Sequence, residues 1–358
     1  MLLRTAAILV AAVIFAGPVS AVSAEKVLVL DAATGRVLHE RSADEKSLIA
    51  STTKIMTALL VCQRCNVLDR VRVPKEAVGI EGSSMYLQEG EVLTVQELLY
   101  GLMLRSGNDA AAALAIWCGG TMDGFAELMN DKARELGLKN THFVNPHGLD
   151  APEHYSSARD LAVLSAYAME NPVFAKTVGT KSVTVGERVL TNHNKLLWQL
   201  TGCEGVKTGY TKAAGRILVS SAARDGRRLI CVTINAPDDW NDHKQLLERG
   251  FSDFEVQRIV EAGDVLGYRH ILGGDGTHVP LVAAESFSYA LAAGEEIDIV
   301  LSPQQFSYAP VQEGRPEGCA YAVLGDAVVG EIPLVWGTSL DAKQEKEKTL
   351  LERLFGGR

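Results

Sequence analysis

The sequence predicts an α/β protein of the α+β type, in which helices cover an antiparallel sheet and a small C-terminal all-β domain follows. Three observations predict it. Strand-like runs lie at both ends of residues 25–256, helical patterns fill the middle of that range, and short apolar runs with glycine-rich turns occupy residues 257–340. Helices that follow one strand group and precede another can bury their apolar faces on a single shared sheet.

The strand pattern begins close to the N-terminus. Residues 26–42 predict a hairpin, because two apolar runs flank a turn at 32–35. Beyond residue 180 the β-rich runs return, at 181–185, 205–208, 217–220 and 229–234. These runs therefore supply the remaining strands of the sheet.

Helical periodicity marks the segment between the two strand groups. Ser51 opens a helix predicted over 51–62, with Ile55, Met56 and Leu59 on its apolar face. Further helices are predicted at 94–104, 109–117, 122–137, 157–169 and 241–256.

The C-terminal third has a different pattern. Residues 257–340 predict a separate small β domain, with turns at the glycine clusters 273–276, 293–294, 314–318 and 325–330. The tail, 341–358, is charged and helix-prone, with one short apolar stripe. Such a stripe would give only weak peripheral contact with a membrane, and a solvated terminal helix is the alternative.

Residues 1–24 predict a signal peptide. Arg4 precedes an uncharged run at 5–17, and Val22-Ser23-Ala24 supplies small residues for cleavage. The run is short for a membrane span, although an uncleaved anchor is the alternative. We expect an exported protein at the extracytoplasmic face of the cell envelope, in the periplasm or cell-wall space.

Charge and cysteine content narrow the classes of partner. The net charge of −9 argues against a nucleic-acid partner. Among six cysteines, Cys62 and Cys65 have the spacing of a redox or metal pair, but no second pair or histidine cluster accompanies them. We therefore expect no metal site, and a local disulfide and free thiols both stay open.

Three short segments carry side chains suited to catalysis: Ser51-Thr52-Thr53-Lys54, Ser106-Gly107-Asn108 and Lys207-Thr208-Gly209. Each segment alone is weak evidence for catalysis, because serines are also common in helix caps and turns and lysines are also common on a solvated surface. Their combination, at a helix start, in a loop and on a strand, favours a shared catalytic role.

The chemistry explains the residue types. A serine hydroxyl needs a base to become a nucleophile. Three positions along a helix bring Lys54 to the face of Ser51, and burial or a nearby cation such as Lys207 can lower its pKa enough for it to act as that base. Ser106 can relay a proton to a leaving amine, and Asn108 can hold both Lys54 and a substrate peptide bond.

The third segment suits substrate binding. Lys207 and Thr208, on an edge strand, can pair with an extended peptide and hold its terminal carboxylate. Gly209 allows a substrate backbone to approach closely.

The sequence around these residues resembles the low-molecular-mass D-alanyl-D-alanine carboxypeptidases, which are penicillin-binding proteins of peptidase family S11. The three catalytic segments match the set shared by penicillin-binding proteins and β-lactamases. The matching segments are LDAATG at 30–35, STTKIMT at 51–57, LRSGND at 104–109, NPHGL at 145–149, HYSSARD at 154–160 and GVKTGYT at 205–211.

The resemblance implies a β-lactamase-like transpeptidase fold over 25–256 and removal of the terminal D-alanine from peptidoglycan stem pentapeptides. It implies catalytic roles for Ser51 as nucleophile, Lys54 as base, and Ser106 and Asn108 as proton-shuttling groups. It assigns Lys207, Thr208 and Gly209 to the substrate-binding strand, and the backbone N–H groups of Ser51 and Tyr210 to an oxyanion hole. It also implies acylation by β-lactams and no metal or organic cofactor.

Some points limit the resemblance. Tyr210 stands where some members carry histidine, so only a backbone role carries over, and we interpret His147 as structural. A class A β-lactamase is disfavoured, because no E-x-x-L-N-like segment lies between the second and third catalytic segments. D,D-endopeptidase action on crosslinks stays open. A sensor that binds D-Ala-D-Ala without turnover is a further alternative, which the intact catalytic set disfavours.

Overall fold

The computed structural model describes residues 22–343, which divide into two compact units. The first comprises residues 22–254 and the second comprises residues 255–343. Most of the predicted signal peptide, residues 1–21, and residues 344–358 of the predicted tail lie outside the described residues.

The first unit is built on a five-stranded antiparallel sheet with the strand order β2-β1-β9-β8-β7. Strand β7 therefore forms one edge. Two further pairs, β3 with β4 and β5 with β6, form small separate sheets. The prediction that the run at 181–185 belongs to the main sheet is therefore wrong, because this run pairs with the strand that directly follows it. The strands are β1 (Lys26–Asp31), β2 (Val37–Arg41), β3 (Arg70–Arg72), β4 (Val92–Thr94), β5 (Ser182–Val185), β6 (Arg188–Thr191), β7 (Cys203–Thr211), β8 (Gly215–Arg224) and β9 (Arg227–Ile234).

Helices fill the remainder of this unit. They are α1 (Lys54–Arg64), α2 (Val95–Leu104), α3 (Asn108–Gly119), α4 (Met122–Glu135), α5 (Ala158–Met169), α6 (Pro172–Gly179), α7 (Leu196–Gln199) and α8 (Asp239–Ser252). Helix α1 packs against α2, α3, α5 and α6, and its residues from Lys54 to Val61 are all buried.

Helices cover both faces of the central sheet. Val27 and Val29 of β1 share a core cluster with Leu246 and Leu247 of α8. Successive strand residues point to opposite faces, so Leu28 faces the other side, where α5 packs against β1 and β9. This arrangement confirms the predicted fold class and explains why β1, β8 and β9 are apolar without alternation.

The start of the first helix differs from the prediction. Residues Ala50–Thr53 form a 3₁₀ turn, and the α-helix begins at Lys54. Two threonine hydroxyls satisfy the carbonyls of this turn, because Thr52 Oγ1 donates to Ile49 O at 2.6 Å and Thr53 Oγ1 donates to Ala50 O at 2.9 Å. Such local side-chain bonds compete with an α-helical start.

Other helix boundaries also differ. The helix predicted over 241–256 is α8, which begins earlier and ends at Ser252, because the chain from Phe254 to Val260 forms a strand. Helix α6 was not predicted, although Asn171 caps it and Pro172 occupies its first position. The short α7 was also missed.

The second unit is all β in its described residues. It contains β10 (Phe254–Val260), β11 (Val265–Leu272), β12 (His278–Ala283), β13 (Phe287–Ala292), β14 (Asp298–Leu301), β15 (Phe306–Tyr308), β16 (Pro316–Leu324) and β17 (Ala327–Trp336). Six strands form a sheet in the order β14-β16-β17-β12-β11-β15, and β10 pairs with β13. The turn predicted at 325–330 is shorter, because β17 begins at Ala327.

None of the helices within residues 22–343 combines the length and the apolar character that crossing a bilayer requires.

Candidate active site

Ser51 lies in the 3₁₀ turn that precedes α1. Ala50 takes a positive φ of 44°, which bends the chain into the turn and leaves Ser51 half-buried at its surface. Ser51 Oγ is 3.0 Å from Lys54 Nζ. The turn therefore presents the hydroxyl group directly to the amine at the start of the helix.

Lys54 is fully buried, and its amine has three neighbours. Nζ donates to Asn108 Oδ1 at 2.7 Å and to the backbone oxygen of His147, and its third contact is Ser51 Oγ. A neutral amine has two N–H groups and one lone pair. Since two oxygens that only accept take both N–H groups, the lone pair is left to accept the proton of Ser51.

The environment of Lys54 favours this neutral form. Burial lowers the pKa of Lys54 well below its usual value of 10.5, and the nearby charge of Lys207 lowers it further, whereas Asp109 acts in the opposite direction. Desolvation disfavours an ammonium ion and so enlarges the fraction of free base near neutral pH. Lys54 thus has the geometry of a general base, and its lowered pKa favours the unprotonated form that a base needs.

Asn108 is fixed in the orientation that Lys54 needs. It is the first residue of α3, and its Nδ2 donates to Glu81 O at 2.5 Å, so Oδ1 points to Lys54. Gly82 makes room for this amide, because a Cβ at that position would lie 2.9 Å from Asn108 Nδ2.

Ser106 lies in the loop between α2 and α3. Its φ of 61° is in the left-handed region, and the residue is buried. Within residues 22–343 its hydroxyl group makes no hydrogen bond. Ser106 therefore lies in the loop beside the site but makes no hydrogen bond to Lys54, whereas Ser51 and Asn108 both do.

Asp109 is a structural member of the site that motif reasoning did not single out. Its buried carboxylate accepts hydrogen bonds from Ser84 Oγ at 2.6 Å and from the backbone N–H groups of Met85 and Leu87 at 3.0–3.1 Å. These bonds tie the 84–87 loop to the start of α3. Its sequence signal was its place directly after Asn108, at the end of the matching segment LRSGND at 104–109.

The edge strand β7 brings the third segment to Ser51. Lys207 is fully buried, and its Nζ donates to Thr208 O at 2.8 Å. Burial lowers the pKa of Lys207 to about 7. Thr208 is half-buried, whereas the Tyr210 side chain is 65% exposed.

Gly209 is the point where β7 and the Ser51 turn come closest. A Cβ on Gly209 would lie 3.3 Å from Ser51 N and from Ile49 O. Any larger residue would push the strand away from the turn. The close approach keeps the backbone of Ser51 beside the backbone that leads into Tyr210.

The 145–149 loop supplies the carbonyl that holds Lys54. Asn145 Oδ1 accepts from Gly148 N at 2.7 Å and its Nδ2 donates to Leu149 O at 2.9 Å, while Thr57 Oγ1 donates to Pro146 O at 2.6 Å. The loop is thereby fastened to itself and to α1. Sequence reasoning gave His147 a structural role and missed its backbone contact with Lys54.

The His147 and His154 side chains are electrically neutral near pH 7. Burial is the main reason that the pKa of each is lowered to about 4. His154 Nδ1 accepts from Val144 N at 3.0 Å, so Nε2 carries the proton and donates to Thr53 Oγ1 at 2.8 Å. His154 thus ties the 142–155 loops to the turn that holds Ser51.

Gly148 permits this packing and gives a testable prediction. Its φ is +87°, and a Cβ there would lie 1.9 Å from Ala50 O. We expect Gly148→Ala to lower the free energy of unfolding by about 3 kcal/mol or more, since backbone strain and a clash with a fixed carbonyl combine. Denaturant unfolding measures this loss, and catalytic efficiency is expected to fall with it because Ala50 adjoins Ser51.

The control for that variant is Gly186→Ala. Gly186 also has a positive φ, +57°, but nothing lies within 4 Å of its Cβ position. It should lose only about 1 kcal/mol, the cost of the backbone conformation alone. Equal losses in the two variants would contradict the role of Ala50 in excluding a side chain at Gly148.

Residues 22–343 contain no group of three or more His, Cys, Asp or Glu side chains arranged to hold a metal ion. The protein groups themselves are a serine hydroxyl, a buried amine whose pKa is lowered, and a second buried lysine on an edge strand. Such a site can transfer an acyl group from an extended peptide to Ser51.

Comparison with known proteins gives consistent matches over both units. The Peptidase S11 model, described as D-alanyl-D-alanine carboxypeptidase, matches residues 13–238, and the penicillin-binding protein 5 C-terminal domain model matches residues 254–342. The carboxypeptidase DacF of Bacillus subtilis is 32% identical over 353 residues, 93% of this chain and 89% of that protein.

Two further comparisons give similar matches. The D-alanyl-D-alanine carboxypeptidase DacC of Escherichia coli is 35% identical over 334 residues, 88% of this chain and 83% of that protein. The solved structure of penicillin-binding protein 5 from Haemophilus influenzae covers 91% of this chain and 100% of its own, with a TM-score of 0.80 and 30% identity.

Proposed function

Since the chain belongs to the Peptidase S11 family of D-alanyl-D-alanine carboxypeptidases, we propose that it removes the terminal D-alanine from peptidoglycan stem pentapeptides through an acyl-enzyme on Ser51. The observation that carries the proposal is the contact of buried Lys54 with Ser51 Oγ at 3.0 Å and Asn108 Oδ1 at 2.7 Å. This pairing of a nucleophile with an oriented base is what acyl transfer requires.

In the acylation step, Ser51 Oγ attacks the carbonyl carbon of the penultimate D-alanine and its proton passes to Lys54 Nζ. The oxyanion that forms is bound by the backbone N–H groups of Ser51 and Tyr210. The C–N bond then breaks, and the leaving D-alanine amine receives the proton from Lys54 through Ser106. The free Ser106 hydroxyl, which has no partner within residues 22–343, is available for this relay.

In the deacylation step, water replaces D-alanine as the reacting group. Lys54, again neutral, takes a proton from this water, and the water oxygen attacks the ester carbon. The ester C–O bond breaks, and Lys54 passes the proton that it took from water to Ser51 Oγ. The products are the shortened stem peptide and the free enzyme, so no cofactor is consumed.

Substrate binding is assigned to the β7 edge. An extended stem peptide pairs with the strand at Thr208 and Gly209, and the Lys207 ammonium attracts its terminal carboxylate. The Asn108 amide, beside Lys54, is placed to contact the peptide bond that is cut. β-Lactams, as mimics of this D-Ala-D-Ala terminus, acylate the same Ser51.

Lys207 gives a prediction that separates binding from chemistry. We expect Lys207→Gln to lower kcat/KM for a peptide ending in D-Ala-D-Ala by about 10- to 100-fold, because a charge-assisted bond to the carboxylate is lost. Peptides with a C-terminal acid and a C-terminal amide are compared in both proteins. The wild type should prefer the acid, and the variant should lose most of that preference.

The pH profile checks the same assignment. Because the pKa of Lys207 is about 7, its binding cation disappears as pH rises through 7. The wild-type kcat/KM should therefore fall on the alkaline side of pH 7, and this limb should be absent from Lys207→Gln. An unchanged limb in the variant would assign it to another group.

Purified muropeptides can show which peptide bond the protein cuts. The carboxypeptidase should remove one alanine from pentapeptide monomers, as read by mass spectrometry. Crosslinked dimers that split faster than monomers lose alanine would favour the endopeptidase alternative. Rapid turnover of a chromogenic cephalosporin would favour a β-lactamase.

The family acts in the periplasm or at the cell wall. We propose that residues 1–24 export the chain to that compartment as a signal peptide, and that the 341–358 tail makes a weak peripheral contact with the membrane. The uncharged run at 5–17 supports the assignment as a signal peptide, and the short apolar stripe of the tail supports the membrane contact.

A further inference from the structure

We propose that Cys65 and Cys118 are a disulfide-forming pair that crosslinks helices α1 and α3 at the ends opposite the active site. The structure holds all six cysteines as free thiols. The Cys62-Gln63-Arg64-Cys65 segment suggests a local pair in the sequence, but the three-dimensional partner of Cys65 is Cys118, which is 53 positions away in the sequence.

Helices α1 and α3 pack against each other, and the two cysteines lie at corresponding ends of them. Lys54 begins α1 and Asn108 begins α3, and their side chains are in contact. Cys65 follows Lys54 by eleven positions, and Cys118 follows Asn108 by ten. At about 1.5 Å per residue both cysteines lie about 15 Å along the chain axis from that contact, and the interaction between their thiols shows that they are neighbours there.

The two thiols contact each other beside a guanidinium group. The Cys65 and Cys118 thiols interact, and the charge of Arg64 acts on Cys118. The interaction with Cys65 and the charge of Arg64 lower the pKa of Cys118 to about 7, whereas the same interaction raises the pKa of Cys65. Cys118 is thus the more acidic thiol of the pair.

The neighbouring Cys62 is unsuited to this chemistry. Burial raises the pKa of the Cys62 thiol to about 12, so it carries almost no thiolate near neutral pH. Cys65 and Cys118 are half-buried, as Cys62 is, so an oxidant can reach them and the thiol pKa is what sets Cys62 apart.

The oxidant is a disulfide, such as that of a thiol oxidoreductase in an exported compartment. The Cys118 thiolate attacks one sulfur of this disulfide and releases one thiol, which leaves a mixed disulfide on Cys118. Cys65 then loses its proton and attacks the Cys118 sulfur, which releases the second thiol. The two protein sulfurs lose two electrons, and the oxidant gains them as two thiols.

The crosslink would stabilise the catalytic helices. It closes a loop of roughly 50 residues, which constrains the unfolded chain. For a unit of this size we expect oxidation to raise Tm by about 5 to 10 °C. The rate of Ser51 acylation should stay within about twofold, since the bond lies at the far end of both helices.

The test uses the full chain, incubated with oxidised glutathione at pH 8 and then alkylated under denaturing conditions. Trypsin cleaves after Arg64, so Cys62 falls in peptide 55–64 and Cys65 in peptide 65–70, while Cys118 falls in peptide 106–132. Before alkylation, we expect the intact chain to have a mass about 2 Da below that of the reduced chain, because a disulfide bond removes two hydrogen atoms. The tryptic digest should contain peptides 65–70 and 106–132 joined, with Cys62 alkylated.

Any of the following results would overturn the proposal. A bond between peptides 55–64 and 65–70 would show the local Cys62–Cys65 pair instead. Alkylation of both Cys65 and Cys118, or glutathione left on Cys118, would show that the two sulfurs do not reach each other. As a check on stability, Cys118→Ser should abolish the rise in Tm on oxidation, and the control Cys62→Ser should keep it.

Discussion

Replacing Ser51 with alanine is expected to lower the release of D-alanine from a D-Ala-D-Ala peptide by about 10⁴-fold or more. The hydroxyl oxygen forms the bond to the substrate carbonyl, so the variant lacks the nucleophile. The variant should also fail to bind penicillin covalently. The Ser51 side chain contacts Lys54, which keeps its bonds to Asn108 and His147, so Tm should change by only about 2 °C.

Ser47→Ala is the matched control for this loss. Ser47 lies four residues earlier, and its exposed hydroxyl donates only a long 3.4 Å bond to Glu45 O. It should keep full activity. If Ser51→Ala retained activity within about tenfold of wild type, another nucleophile would be required. If it fully restored a deletion strain, the non-enzymatic sensor would be the better account.

Replacing Lys54 with methionine is expected to lower the acylation rate by about 10²- to 10⁴-fold, the usual contribution of a general base. Methionine fills a similar volume without an amine, so Ser51 has no group to take its proton. The rate of penicillin acylation, followed by intact-protein mass spectrometry, measures the effect without relying on turnover.

A second variant separates a base from a mere positive charge. Lys54→Arg keeps a cation at the site but cannot deprotonate near neutral pH, so it should be as slow as Lys54→Met. Lys139→Met, which changes an exposed lysine, is the control and should acylate at the wild-type rate. Recovery of most of the rate in Lys54→Arg would contradict the role of Lys54 as base.

The sequence predicted the helices and strands that carry the candidate catalytic side chains. Ser51, Lys54 and Asn108 are close together in the structure, and Lys207 lies on the predicted strand. The periodic apolar patterns also identified the five sheet strands and most helices. These features leave a local signal, because burial on one face or catalytic chemistry requires particular residue types at fixed spacings.

The features that the sequence missed are those made by the backbone and by distant packing. The carbonyl of His147 has no side-chain signature, and its contact with Lys54 depends on the fold of the 145–149 loop. The 3₁₀ turn at Ala50–Thr53 looks helical in sequence, because only its hydroxyl bonds and the φ of Ala50 distinguish it. The Cys65–Cys118 contact likewise depends on how two helices pack.

The most direct test of the central claim is penicillin labelling of the purified chain, read by intact-protein mass spectrometry and tryptic mapping. Ser51 falls in peptide 47–54, and fragment ions distinguish it from Ser47 in the same peptide. The account predicts one penicillin adduct per chain, located on Ser51 and stable for minutes. An adduct on any other residue, or D-alanine release by a chain that forms no adduct, would contradict it.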